Sequence, residues 1–218
     1  MAIYTLRYFG VIGYGETSRL LLTAANVDWN EENPEWPAEK PNQPFGRLPV
    51  LIEKRADGKA DFVLSESGAI ERYLARTFGF LPADLQLAAQ QEQLRDVQMD
   101  VLLAIRAHMM TKEDLIEETT AKLEQLLDKL MSAQTELLRQ NGNTGRLFGS
   151  ALSYADISAY AFLKLVFVHL PKYTELAPKM VKAKLTPEIA KLASTVEADP
   201  LLAAHTSTAD KIASLVAV

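Results

Sequence analysis

The stretch "PFGRLPVL", residues 44–51, sets Pro44 and Pro49 on either side of "FGRL" and ends in apolar Val50 and Leu51. A proline cannot donate to a sheet ladder, so it belongs at a strand's first residue or at an edge. An X-Pro bond also adopts cis at modest cost, usually in a tight turn. Leu48-Pro49 is therefore a candidate corner that opens the Leu48 backbone to a bound peptide. Taken alone, the octet favours an ordinary turn before a strand. Other reactive residue types are scarce. The chain has no cysteine, which excludes disulfides, thiolate nucleophiles and Cys-type zinc sites. The three histidines, His108, His169 and His205, lack metal-ligand spacing, so no metal is expected.

The elements that must position such a corner alternate in type. "IYTLRYF" (3–9) places Tyr4, Leu6 and Tyr8 on one side of a strand. After Gly10 and Gly13, Leu20, Leu21, Ala24 and Ala25 form a helical apolar stripe. "RLPVLIE" and "DFVLSE" predict two more strands, joined by a turn at Asp57-Gly58. "SGAIERYLARTFG" predicts a helix with Ile70, Tyr73, Leu74 and Thr77 on one face and Gly79 as its stop. A short further strand is expected near Asp28 to Glu32.

Strand signals end near Phe80, and helices are expected over 87–110, 112–140, 153–170 and about 186–197. The second carries Leu115, Thr119, Leu123, Leu126, Leu130 and Leu137 at helical spacing, as a bundle core would. Ser153-x-x-Asp156 opens the third like a capping box. The fold class is α/β plus all-α, with a first domain over 1–80, a linker over 81–86 and a helical domain over 87–218. The net charge is -5 and no block of Lys and Arg suggests a nucleic-acid or membrane surface. The N-terminus lacks a secretory signal, and "AYAFLKLVFVHL" is too short to span a bilayer, so a cytoplasmic protein is expected.

Four segments, "YTLRYFGVIGYGETSRLLL", "PFGRLPVL", "LSESGAIERYLAR" and "FGSALSYADISAY", together resemble the cytosolic glutathione S-transferases, closest to the pi and sigma classes. The resemblance covers nearly the whole chain. It implies a thioredoxin-like domain followed by a helical bundle, usually in a homodimer. It implies glutathione as co-substrate, and a cis Leu48-Pro49 bond whose preceding backbone pairs with the cysteinyl part of glutathione.

By the same resemblance Tyr8 is the catalytic tyrosine. A phenol in hydrogen-bond reach stabilises the nucleophilic thiolate, and the helix N-terminus after Gly13 adds positive potential. Ser67 matches the residue that takes the γ-glutamyl carboxylate at a helix N-terminus, and Glu66 the acceptor for the α-amino group. Trp36 and Lys40 match residues that reach the glycyl carboxylate, with Arg47 assisting. The electrophile pocket is expected from Val11, Ile12, Ile105 and His108. Phe45 stands where pi-class relatives present an aromatic key to the partner subunit.

The chain departs from the pattern twice. Tyr14 occupies the position of an arginine that helps polarise the site. Ala104 falls where the partner subunit would supply an aspartate, with Asp96 and Asp100 four residues apart as replacements and Asp100 as a partner contact. The expected function is conjugation of glutathione to small hydrophobic electrophiles. The alternatives are a weakly active binding or structural protein on the same fold, or a sigma-type isomerase. Cysteine-dependent thiol transfer is not expected.

Overall fold

The computed structural model of the chain describes residues 3–55, 59–203 and 212–216. The expected turn at Asp57-Gly58, and His205, lie outside the described residues. The chain divides into two compact units, Met1–Pro82 and Ala83–Val218.

The first unit runs β1 (Tyr4–Arg7), α1 (Glu16–Ala24), β2 (Trp29–Glu32), β3 (Val50–Glu53), β4 (Phe62–Ser65) and α2 (Ser67–Thr77). The sheet order is β2-β1-β3-β4. β1 and β2 are parallel, as a helical crossover requires, and β3 runs antiparallel to both β1 and β4. This is the thioredoxin-like arrangement. Leu6, Leu21, Leu22, Leu51, Ile70 and Leu74 are wholly buried and form its core.

On α2 the buried face is Ile70, Glu71, Leu74 and Ala75. Tyr73 and Thr77, expected on that face, are not in the core. Tyr73 is half-buried and donates its hydroxyl to Glu53, and exposed Thr77 bonds the Tyr73 carbonyl at 2.8 Å. Polar tips draw these two side chains to the edge of the packed surface.

The second unit is helical: α3 (Leu85–Met109), α4 (Ile116–Gln140), α5 (Tyr154–Lys164), α6 (Leu176–Ala183), α7 (Pro187–Glu197) and α8 (Pro200–Ala203). The stripe on α4 is Leu123, Leu127, Leu130, Met131, Gln134, Thr135 and Leu138. Leu126 and Leu137, expected inside, are each the outer member of a leucine pair, and Leu115 is exposed. Every residue of α5 is buried, as befits a bundle's central helix. The helix expected to Leu170 ends its α-form at Lys164 and continues as a π-helical turn over Leu165–His169. Pro171 lacks the N–H that would carry the regular ladder onward.

The capping box at Ser153 is complete. The Asp156 carboxylate accepts from the Ser153 backbone at 3.0 Å, the Ser153 hydroxyl at 2.8 Å and the Leu147 backbone at 2.7 Å. Among the described residues no helix is long and apolar enough to cross a membrane.

Candidate active site

The sheet topology gathers the expected glutathione residues at one end of the first unit. β1 and β3 are antiparallel with Arg7 opposite Val50, and β3 and β4 are antiparallel with Val50 opposite Ser65. The last residues of β1 and β4 and the first residue of β3 therefore share one sheet end. β2 runs parallel to β1, so the chain leaves Glu32 toward Trp36 from that end too. Both α1 and α2 begin there, one after Tyr8 and one after Ser65.

Tyr8 follows β1 directly and is 5% exposed. Its backbone N–H donates to the Glu32 carbonyl at 3.0 Å, which fixes the end of the strand. Its phenol oxygen accepts from the Tyr14 backbone N–H at 2.9 Å. Two glycines permit this approach. A Cβ on Gly13 would lie 2.5 Å from the phenol oxygen, and one on Gly15 would lie 2.6 Å from the ring. Burial pushes the phenol above the ordinary tyrosine range, the Tyr14 N–H and the Arg19 cation pull it down, and Tyr14 and Glu16 push with burial. The net result is a phenol that keeps its proton at neutral pH and can donate it to an anion.

An aromatic chain extends from Tyr8. Phe9 packs against Tyr8 at 5.5 Å between ring centroids, and Trp36 meets Phe9 edge-on, also at 5.5 Å. Trp36-Pro37 is cis. Lys40 opens a short 3-10 turn and is exposed, with its stem running along Gly46.

The corner is the cis bend that the family resemblance implied, not the ordinary turn that the octet alone favoured. Leu48-Pro49 is cis, and β3 begins at Val50, so Leu48 lies outside the ladder. Across the corner Arg47 pairs with Glu66 at 3.8 Å, with both side chains well exposed. Glu66 caps α2 at φ +70°, an unusual conformation for a side-chain-bearing residue and one that clusters at functional positions. Ser67 is the first residue of α2. Arg47, Leu48, Glu66 and Ser67 thus surround one corner, on the same sheet end as Tyr8, Trp36 and Lys40.

Val11 is exposed and Ile12 half-buried in the loop after Tyr8. Ile105, on α3, is 3% exposed. His108 hydrogen-bonds through Nδ1 to the Thr119 hydroxyl on α4 at 3.1 Å. Asp100 is exposed on α3. Phe45 is 80% exposed, at φ +53° beside Gly46. Among the described residues no group of three His, Asp or Glu side chains could hold a metal.

Sequence reasoning passed over Arg19. It sits on α1, donates to the Phe9 and Val11 carbonyls at 2.8 and 2.9 Å, and lies over the Tyr8 ring at 5.4 Å. The available signal was a cation set against the apolar run "LLL", three residues after an acid.

Comparison with known proteins agrees with this architecture. Residues 4–76 match the glutathione S-transferase N-terminal domain, and residues 99–209 match the glutathione S-transferase C-terminal domain. The chain is 34% identical over 165 residues to a probable glutathione S-transferase 7 of Caenorhabditis elegans, covering 72% of this chain and 77% of that one. A glutathione S-transferase structure from C. elegans superposes with a TM-score of 0.75 at 29% identity, covering 94% of this chain and 97% of that one. A hookworm enzyme from Necator americanus, described as monomeric Na-GST-3, gives a TM-score of 0.70 at 27% identity, covering 92% and 94%. The chain belongs to the glutathione S-transferase family, with that family's general activity, transfer of glutathione to an electrophile.

Proposed function

We propose that the chain is a tyrosine-type glutathione transferase in which the Tyr8 phenol stabilises the glutathione thiolate. The observation that carries this reading is the Tyr8 hydroxyl, buried, protonated at neutral pH and held by the Tyr14 N–H at the start of α1. With its oxygen already accepting one bond, the phenol has its proton free to donate to sulfur, and chained hydrogen bonds strengthen one another. The thiolate lone pair forms the new C–S bond. With an aryl halide the halide departs with its bonding pair, and the thiol proton goes to solvent.

The corner supplies the peptide contacts. The Leu48 backbone pairs with the cysteinyl unit, Ser67 and the α2 N-terminus take the γ-glutamyl carboxylate, and Glu66 takes the α-amino group. Trp36 and Lys40, with Arg47, face the glycyl carboxylate. Exposed Val11 beside Tyr8 favours small hydrophobic electrophiles. The protein would work in the cytoplasm as a homodimer, with Phe45 as the anchor between subunits.

A second reading is a glutathione-binding protein of low turnover. Tyr14, which presents only its backbone N–H to Tyr8, favours it. A steady-state assay with glutathione and a reactive aryl halide separates the two. Saturable turnover in both substrates is expected. Glutathione binding without turnover of any electrophile gives the second reading, and failure to bind glutathione removes both.

A further inference from the structure

We propose that Arg19 is a positioning residue for the glutathione reaction, acting through Tyr8; the inference rests on the reading of Tyr8 as the thiolate's donor. Its guanidinium ties three parts of the first unit together. It donates to the Phe9 and Val11 carbonyls in the loop after β1, at 2.8 and 2.9 Å. It bonds Glu16 in its own helix at 2.9 Å and Glu31 of β2 at 2.9 Å. The rigid fork of an arginine suits this task, and no other cationic side chain offers so many donors in fixed directions.

The same group lies over the Tyr8 ring. Its central carbon stands 5.4 Å from the Tyr8 ring centroid, inside the range where a cation is held by a ring's face. The side chain is 15% exposed, so water screens the contact poorly. The charged and titratable groups facing Tyr8 are Arg19 and Glu16 from α1 and Tyr14 from the loop, while Glu31 of β2 meets the guanidinium. Arg19 draws the phenol toward greater acidity, against burial and Glu16. A more acidic phenol is a stronger donor to a thiolate. Arg19 thus supplies a positive field at the Tyr8 ring.

Without Arg19, the Phe9 and Val11 carbonyls lose their shared donor, and the two carboxylates lose their common counter-charge. The loop that carries the Tyr14 N–H loosens, and the phenol becomes a weaker acid.

The test is the pH titration of thiolate absorbance in bound glutathione, with steady-state kinetics, in Arg19→Gln, Tyr8→Phe and the double variant. Arg19→Gln is expected to raise the bound thiol's pKa and lower kcat roughly tenfold, with a smaller change in the glutathione KM. In the Tyr8→Phe background the same substitution is expected to cost little more. An equal loss from Arg19→Gln in both backgrounds overturns the inference. So does a lowered Tm with unchanged thiol pKa and kcat, which would mark Arg19 as structural alone. Full turnover in Tyr8→Phe removes the reading of Tyr8 and the inference with it, whereas loss in Tyr8→Phe with an unshifted Arg19→Gln removes the inference only. Should Arg19→Gln fold poorly, Glu31→Gln frees the guanidinium from one carboxylate. The bound thiol's pKa should then fall, and a rise or no change overturns the proposal.

Discussion

The Tyr8 phenol oxygen rests 2.9 Å from the backbone nitrogen of Tyr14, so the donor comes from the main chain and not from the Tyr14 side chain. Tyr14→Phe keeps that donor and is expected to retain turnover. Tyr8→Phe keeps the ring packing and removes the hydroxyl. Loss of a preorganised donor to an anion lowers kcat by about 10²–10³-fold, and the glutathione KM should change far less. Steady-state kinetics of the two variants check this. Collapse in Tyr14→Phe with survival in Tyr8→Phe would move the catalytic assignment to Tyr14.

Gly13 and Gly15 should fail differently. A Cβ at Gly13 meets the phenol oxygen at 2.5 Å, the atom proposed to stabilise the thiolate. A Cβ at Gly15 meets the Tyr8 ring carbons at 2.6 and 2.8 Å. Overpacking of a buried ring costs about 1–3 kcal/mol. Gly15→Ala is expected to lower stability by that order, measured by urea unfolding. Gly13→Ala is expected to cut kcat more than stability, because the phenol tip must swing away from Tyr14.

Phe45 is 80% exposed at φ +53°, a backbone conformation that costs a side-chain-bearing residue, and so is open to contact by a partner. We expect a symmetric dimer at micromolar concentration in sedimentation. Phe45→Ala should weaken it by about 2 kcal/mol or more. A monomeric wild type, like the hookworm relative, would reject the dimer. A normally dimerising variant would reject only the anchor.

Alkaline stability should depend on Tyr73. Burial, the bond to Glu53 and the Glu53 charge push its phenol from 10.0 up to about 12. The folded state holds that proton more tightly than the unfolded chain does. Its contribution is therefore full below pH 10 and is lost as the pH rises toward about 12. The difference in unfolding free energy between wild type and Tyr73→Phe should be flat below pH 10 and shrink above it. A constant difference across that window would contradict the assignment.

Much of the first unit was legible because its signals are local. Alternation marks β1, and Pro49 marks a turn before β3, whereas its cis bond was legible only through the family resemblance. The leucine pairs at 126–127 and 137–138 were not decidable by spacing, since either member fits a helical stripe; packing chose Leu127 and Leu138. Helix α6 was not among the expected helices; its Pro178 falls in the first turn, where a missing N–H costs nothing. Arg19 carried only a weak local signal, a cation before "LLL" and three residues after an acid. Its partners Phe9, Val11 and Glu31 are distant in sequence or contribute backbone atoms, which no side-chain pattern reveals.

Because the segments proposed to face glutathione leave the sheet at one end, the connection from Glu53 to Phe62 must leave at the other. Four ladder positions of roughly 3.3 Å rise separate that connection from the corner. It is a handle for instrumentation: in a chain with no native cysteine, one cysteine introduced at Lys59 would be the sole attachment point for a dye or spin label. Such a probe reports on the sheet from the end opposite the proposed glutathione site.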